Sequence, residues 1–193
     1  FTDYAPGGIK YLKAFIKESS CSSYLLVFPA ELLSSIYEQY GDRLLEQNVR
    51  TFLQFRGGVN KGIRNTLKNE PEMFFAYNNG LTVTAENLEI KDERILNAKN
   101  LQIVNGGQTT ASIFMSKLND KQNIDLTNVY VQVKLSVIDI DKVDDVVPLI
   151  SKSSNTQNKV SKADFFSNHP FHKRIEEFSR RILAPASEKQ IAE

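Results

Sequence analysis

Between Leu101 and Leu118 the chain reads LQIVNGGQTTASIFMSKL, and this stretch narrows the possible folds more than any other. Leu101, Ile103 and Val104 read as the end of a buried strand, while Ala111, Ile113, Phe114 and Leu118 recur at helical spacing. The period changes at Asn105-Gly106-Gly107-Gln108, so a strand has to become a helix within a few residues. Gly106 and Gly107 permit positive φ and let another group come close to the backbone. Thr109 or Thr110 is expected to cap the new helix. A helix N-terminus leaves its first N–H groups unpaired and carries about half a positive charge, which favours a polar or anionic ligand. The same letters equally suit a tight connection whose glycines serve geometry alone. The corner lacks the lysine of a P-loop, so nothing in it specifies ATP.

Other segments supply the rest of an α/β or α+β chain. Ile9 to Lys17 (IKYLKAFIK) follows a Pro-Gly-Gly start and repeats with helical rhythm, which predicts a helix there. Tyr24 to Phe28 is short and apolar enough for a buried strand. Pro29 then opens a helix over 29–47 with Leu32, Leu33, Ile36, Tyr37 and Tyr40 on one face. Gly41 is expected to end or kink that helix, with Leu44 and Leu45 continuing into the core. Asn78-Asn79-Gly80 is a turn signal, after which Leu81, Val83 and Ala85 alternate with Thr82 and Thr84 as in a half-buried strand. Strands are expected at 24–28, 81–90, 95–104 and 129–138, with helices at 29–47, 107–118, 142–151 and 170–183. The expected architecture is a single domain with a mixed β-sheet flanked by helices.

Composition removes several function classes. The 193 residues carry a net charge of +1, too even a balance to demand nucleic acid, so any basic surface must come from clustering. A single cysteine, Cys21, cannot form an internal disulfide, and one Cys with two His cannot build a closed structural zinc site. This suits a reducing, cytoplasmic setting. No apolar run reaches membrane-spanning length, and no signal peptide opens the chain. The start at Phe1 without Met fits a piece of a longer protein. Asp139 to Asp145 is acidic enough to raise a metal hypothesis, but carboxylates at a helix start explain it as well. His169 and His172 lack carboxylate or Cys partners at ligand spacing.

Clustering occurs in two places. In NVRTFLQFRGGVNKGIRNTLK, Arg50, Arg56, Lys61, Arg64 and Lys68 run without an intervening acid, beside Phe52 and Phe55. Cations next to aromatics and flexible backbone suit a phosphate-bearing partner, and a solvated basic helix gives the same pattern. In SKSSNTQNKVSKADFF, the amides of Asn155, Gln157 and Asn158 lie among Lys152, Lys159 and Lys162. Amides donate and accept, so such a loop can read base edges or a sugar-phosphate framework, or simply be hydrophilic.

Four motifs in this order, NVRTFLQFRGGVNKGIRNTL, EPEMFFAYNNGLTV, IVNGGQTTASIF and KSSNTQNKVSKADFFSNHPFHKRIEEFSRRI, resemble the AIPR family. The similarity covers about Leu32 to Ile182. AIPR is named for bacterial abortive infection and phage resistance, and the resemblance implies a role in phage defence alongside partner nucleases or ATPases. The positions it carries over are Asn48, Arg50, Asn60, Lys61, Asn78, Asn79, Gly80, Asn105, Gly106, Gly107, Gln108, Thr109, Asn155, Gln157 and Asn158. A set of amides, glycines and a few cations suits a binding or regulatory pocket better than a hydrolytic centre, which needs a base, an acid or a metal cage. The expectation is that these motifs converge on one polar cleft for nucleic acid or a nucleotide, with Arg50 and Lys61 supplying charge and with no cofactor.

Two rival readings have their own signals. Gln132-Val133-Lys134 on a strand, with Asp125 upstream, looks like the Q-x-K variant of restriction-type nuclease sites, in which Lys steadies the scissile phosphate and Asp holds Mg2+. Alternating polar residues on one strand face produce the same letters. An interaction or sensor module regulating a neighbouring effector would instead show a large exposed apolar patch.

Overall fold

In the computed structural model the described residues are 1–2, 5–14, 21–45, 57–119 and 124–156. The chain divides into two compact units, Phe1–Ser154 and Asn155–Glu193. The first holds the sheet. Its strands are β1 (Ile9–Ala14), β2 (Cys21–Pro29), β3 (Leu81–Ala85), β4 (Asn87–Lys91), β5 (Arg94–Lys99), β6 (Gln102–Asn105) and β7 (Tyr130–Ile138). Among the described residues the α-helices are α1 (Ala30–Tyr40), α2 (Gly57–Asn69), α3 (Phe74–Tyr77), α4 (Gly107–Asn119) and α5 (Val143–Thr156), so the expected mixed α/β class is found. The helix expected at 170–183 lies outside the described residues.

The sheet is built on β2 and β7, nine residues each, paired antiparallel from Cys21↔Ile138 to Pro29↔Tyr130. Both alternate strictly in their middle: Tyr24, Leu26, Phe28, Val131, Val133 and Leu135 are buried, whereas Leu25, Val27, Gln132 and Lys134 face out. Strand order is β4-β5-β1-β2-β7-β3-β6, with β3 parallel to β7 and the other pairs antiparallel. β3–β4 and β5–β6 are two arms of one long hairpin, bent at Glu86 and at Asn100-Leu101. The Glu86 N–H donates to the Lys99 carbonyl at 3.0 Å, and Lys99 also pairs with Glu86 at 3.6 Å. One half of the hairpin therefore pairs with β7 and the other with β1, which curls the sheet around a shared core. At its tip Asp92 and Glu93 have φ of 50° and 56°, the left-handed pair that a two-residue hairpin turn requires.

α1, α2, α3 and α4 contribute Leu32, Leu33, Leu67, Phe74 and Ile113 to that core. α1 starts directly after Pro29, with the Ala30 N–H donating to Val129 O, and stops at Gly41, whose φ of 54° suits glycine. Leu44 and Leu45 are buried as expected. α5 covers part of the opposite face through Val147, packed with Val104 and Ile138.

Three expectations are corrected. Ile9–Ala14 is a strand, not a helix: Ile9 and Tyr11 turn inward and pair with β5 and β2, so sheet pairing overrides a helical rhythm that the same letters also allow. β3 is buried on both faces, Thr82 and Thr84 included: Leu81, Val83 and Ala85 join the core, and α5 lies over the other face, where Val143 and Val147 line a cavity with Thr84. The strands expected at 81–90 and 95–104 are each two shorter ones, interrupted by the hairpin bend.

Leu25 and Leu26 face opposite sides of β2, at 42% and 1% exposure. Leu26→Ala is expected to cost about 2–5 kcal/mol in urea unfolding and Leu25→Ala about 1 kcal/mol or less. Equal losses would mean that the strand register is wrong.

Candidate functional site

β3 begins and β6 ends at the same edge of the sheet, and the two glycine turns meet there. The Asn78 side chain organises the first turn: its Oδ1 accepts the Gly80 N–H at 2.9 Å. Its Nδ2 donates to Thr109 Oγ1 at 3.3 Å, in the first turn of α4, 31 residues away in the chain. One amide thus ties the Asn-Asn-Gly turn to the Asn-Gly-Gly-Gln corner. Both glycines are dictated by space and backbone together. Gly80 has φ 77° and a Cβ there would fall against the Gln132 carbonyl; Gly106 has φ 96° and a Cβ would fall against Leu81 and within 3.1 Å of the Gly80 carbonyl. The backbones of the two motifs are therefore in direct apposition, as only glycine permits.

α4 starts at Gly107, earlier than a Thr109 or Thr110 cap requires. The Thr110 hydroxyl instead donates back to the Gly106 carbonyl at 3.2 Å, and Thr109 receives Asn78. The expected threonine cap is thus replaced by a glycine start, which keeps side-chain bulk away from the first-turn N–H groups. Asn105 turns the other way and donates from Nδ2 to the Ser154 carbonyl in the last turn of α5 at 2.6 Å. Gln108 is half-buried, and its Nε2 is shielded from solvent with no acceptor among the described residues. A buried donor without a partner costs about 1–3 kcal/mol, so an incoming acceptor is favoured there.

The other predicted site residues distribute as follows. Asn79 is exposed at the tip of its turn. Lys61 is exposed on α2, which packs against α4. Asn60 lies in α2. Asn155 is exposed near the end of α5. Asn48, Arg50, Gln157 and Asn158 lie outside the described residues, as do His169 and His172. The structure thus brings together Asn78, Asn79, Gly80, Asn105, Gly106, Gly107, Gln108 and Thr109.

The nuclease set is not assembled in this way. Asp125 is exposed, and its Oδ1 accepts both the N–H and the hydroxyl of Thr127, so it closes the turn leading to β7. Those two hydrogen bonds, the hydroxyl first, hold its carboxyl below the ordinary carboxylate range. Gln132 and Lys134 stand exposed on the outer face of β7. Among the described residues no group of three or more His, Cys, Asp or Glu is placed to hold a metal ion. The aspartates at 139–145 instead start a helix, with Asp144 and Asp145 in the first turn of α5.

A cavity of about 60 Å³ lies between Thr84, Gln102, Ile138 and Val147, under α5 rather than at the glycine corner. It is far smaller than the roughly 300–1,000 Å³ of small-molecule sites.

The family of AIPR proteins matches residues 45–192, which include both glycine motifs. The chain belongs to the AIPR family. Family membership points to a role in bacterial abortive infection and phage defence. No curated protein and no solved structure matches the chain. Among the described residues of this AIPR chain, no helix is long and apolar enough to cross a membrane. The two glycine turns were legible from their letters; the amide bridge from Asn78 to Thr109 was not, because nothing in sequence spacing signals a contact over that separation.

Gly106→Ala is expected to destabilise the domain by more than about 1 kcal/mol, since the new methyl meets both a wrong φ and filled space. Gly62→Ala, in α2 with open space around it, is expected to be neutral or to stabilise by up to about 1 kcal/mol. Thermal melts of the two variants check this, and a tolerated Gly106→Ala contradicts the apposition. Thr127→Val is expected to raise the Asp125 titration toward the ordinary carboxylate range, read by carboxyl NMR; an unchanged titration would show that Thr127 is not the cause.

Proposed function

We propose that this AIPR domain serves phage defence by binding nucleic acid or a nucleotide at the corner formed by Asn78–Gly80 and Asn105–Thr109. The observation that carries this reading is the Asn78 amide, which spends one end on its own turn and the other on the first turn of α4. It holds two glycine-lined backbones side by side before any ligand arrives, and preorganisation of this kind lowers the entropic cost of binding. Two further features support it. The first-turn N–H groups of a 13-residue helix favour phosphate or another acceptor, and Gln108 Nε2 offers a buried donor. Lys61, Arg64 and Lys68 lie on the helix packed beside α4, in a segment without acids. The chemistry offered is recognition by hydrogen bonds and charge, with no general base or metal cage among the residues that meet.

The test is fluorescence anisotropy of the domain with labelled single- and double-stranded DNA and RNA and with a labelled nucleotide, across a salt series. Binding is expected to weaken steeply with salt and to fall about tenfold or more in Asn78→Ala and Gln108→Ala, with the fold retained by circular dichroism. Absence of binding at low salt, or equal binding by both variants, overturns the reading.

A further inference from the structure

Among the described residues, the middle of the outer face of β1, β2 and β7 is left uncovered. α5 covers the far end of that face, where Ser136 and Ile138 on β7 are buried, and leaves Gln132 and Lys134 exposed. Leu12, Leu25 and Val27 form the middle of the open region at 71%, 42% and 46% exposure, and Tyr130 joins them at 43%. The register makes them neighbours: Leu12 lies opposite Leu25, Leu25 opposite Lys134, and Val27 opposite Gln132. Opposed residues share a face, with Cβ atoms about 5 Å apart, so these side chains make one continuous patch. Such patches on a soluble domain mark contact surfaces.

Among the described outward positions of β1, β2 and β7 the charged side chains are cations. Lys134 flanks the aliphatic centre on β7, and Lys10 flanks it on β1, opposite Arg94 of β5. Asp92 and Glu93 lie in the β4–β5 turn, beyond the strands, and no acid occupies the outward positions of β1, β2 or β7. We infer that this face docks a segment of another protein whose apolar side chains are bordered by Asp or Glu. An aliphatic centre inside a charged rim is the layout of a protein interface. Bases stack on aromatic rings, and this face offers one ring at its end. A second copy of the chain would set Lys10 and Lys134 against the same cations, which opposes self-pairing. The face borders the glycine corner, where Gly80 lies against Gln132, so a partner docked on it is placed to couple to ligand binding.

The experiment titrates the full chain into a labelled synthetic amphipathic helix with Leu at i, i+3, i+4 and i+7 and Glu on the flanking positions. The same helix with Lys for Glu, and an oligothymidylate, are run beside it. The Glu helix is expected to bind, and to bind at least tenfold more weakly to Leu12→Ser/Val27→Thr and to Lys10→Glu/Lys134→Glu; the second variant is expected to prefer the Lys helix. Melting curves confirm that both variants fold. No binding of the Glu helix, or equal binding by all three chains, overturns the proposal. So does oligothymidylate binding that depends on Lys10 and Lys134 alone, which assigns the face to nucleic acid, or a dimer in sedimentation that Leu12→Ser/Val27→Thr abolishes.

Discussion

The close passage of Gly106 against Gly80 and Leu81 is the constraint on which the polar corner of the molecule depends. Any side chain at Gly106 would push β6 away from the start of β3, and both glycines sit at φ values that other residues rarely adopt. With the two backbones apposed, Asn78 can reach Thr109, and α4 can begin at once instead of after a longer loop. The corner is thus made first by backbone geometry and only then by side-chain chemistry.

The sheet supplies the rigidity that such a contact needs. β2 and β7 are long, alternate strictly in their middle and pair over nine residues, and β3 is locked to β7 in parallel with Leu81 opposite Val133. Because the β3–β6 hairpin bends at Glu86 and returns to β1, it belongs to both ends of the sheet. Among the described residues, helices gather on the inner face of this curl, while α5 covers part of the outer face. The polar corner at one edge and the exposed Leu12, Leu25 and Val27 surface follow from that unequal covering.

Much of this was legible in the letters, and the exceptions have physical causes. β7 and α4 were readable because their periods are long and unbroken, and the Asn-Gly-Gly-Gln turn because a change of period must fall somewhere. β1 was misread because IKYLKA satisfies two periods at once, and only its pairing with β2 and β5 chooses between them. The burial of Thr82 and Thr84 was hidden because a helix packing over a strand from much further along the chain is not written in local alternation. The threonine cap failed for a similar reason: Thr109 has a better use, as acceptor for a residue in another motif. Asp125, Gln132 and Lys134 matched a nuclease pattern in order, but Asp125 is engaged by its neighbour Thr127 and the other two belong to an exposed strand face.

The central claim is that the apposed glycine turns form the ligand site, and amide chemical-shift mapping during titration with a short single-stranded oligonucleotide addresses it most directly. The expected result is a set of saturable shifts concentrated at 78–80 and 105–109, extending along the exposed side of α2. Shifts confined to the outer face of β1, β2 and β7, or no shifts at all at low salt, would contradict it.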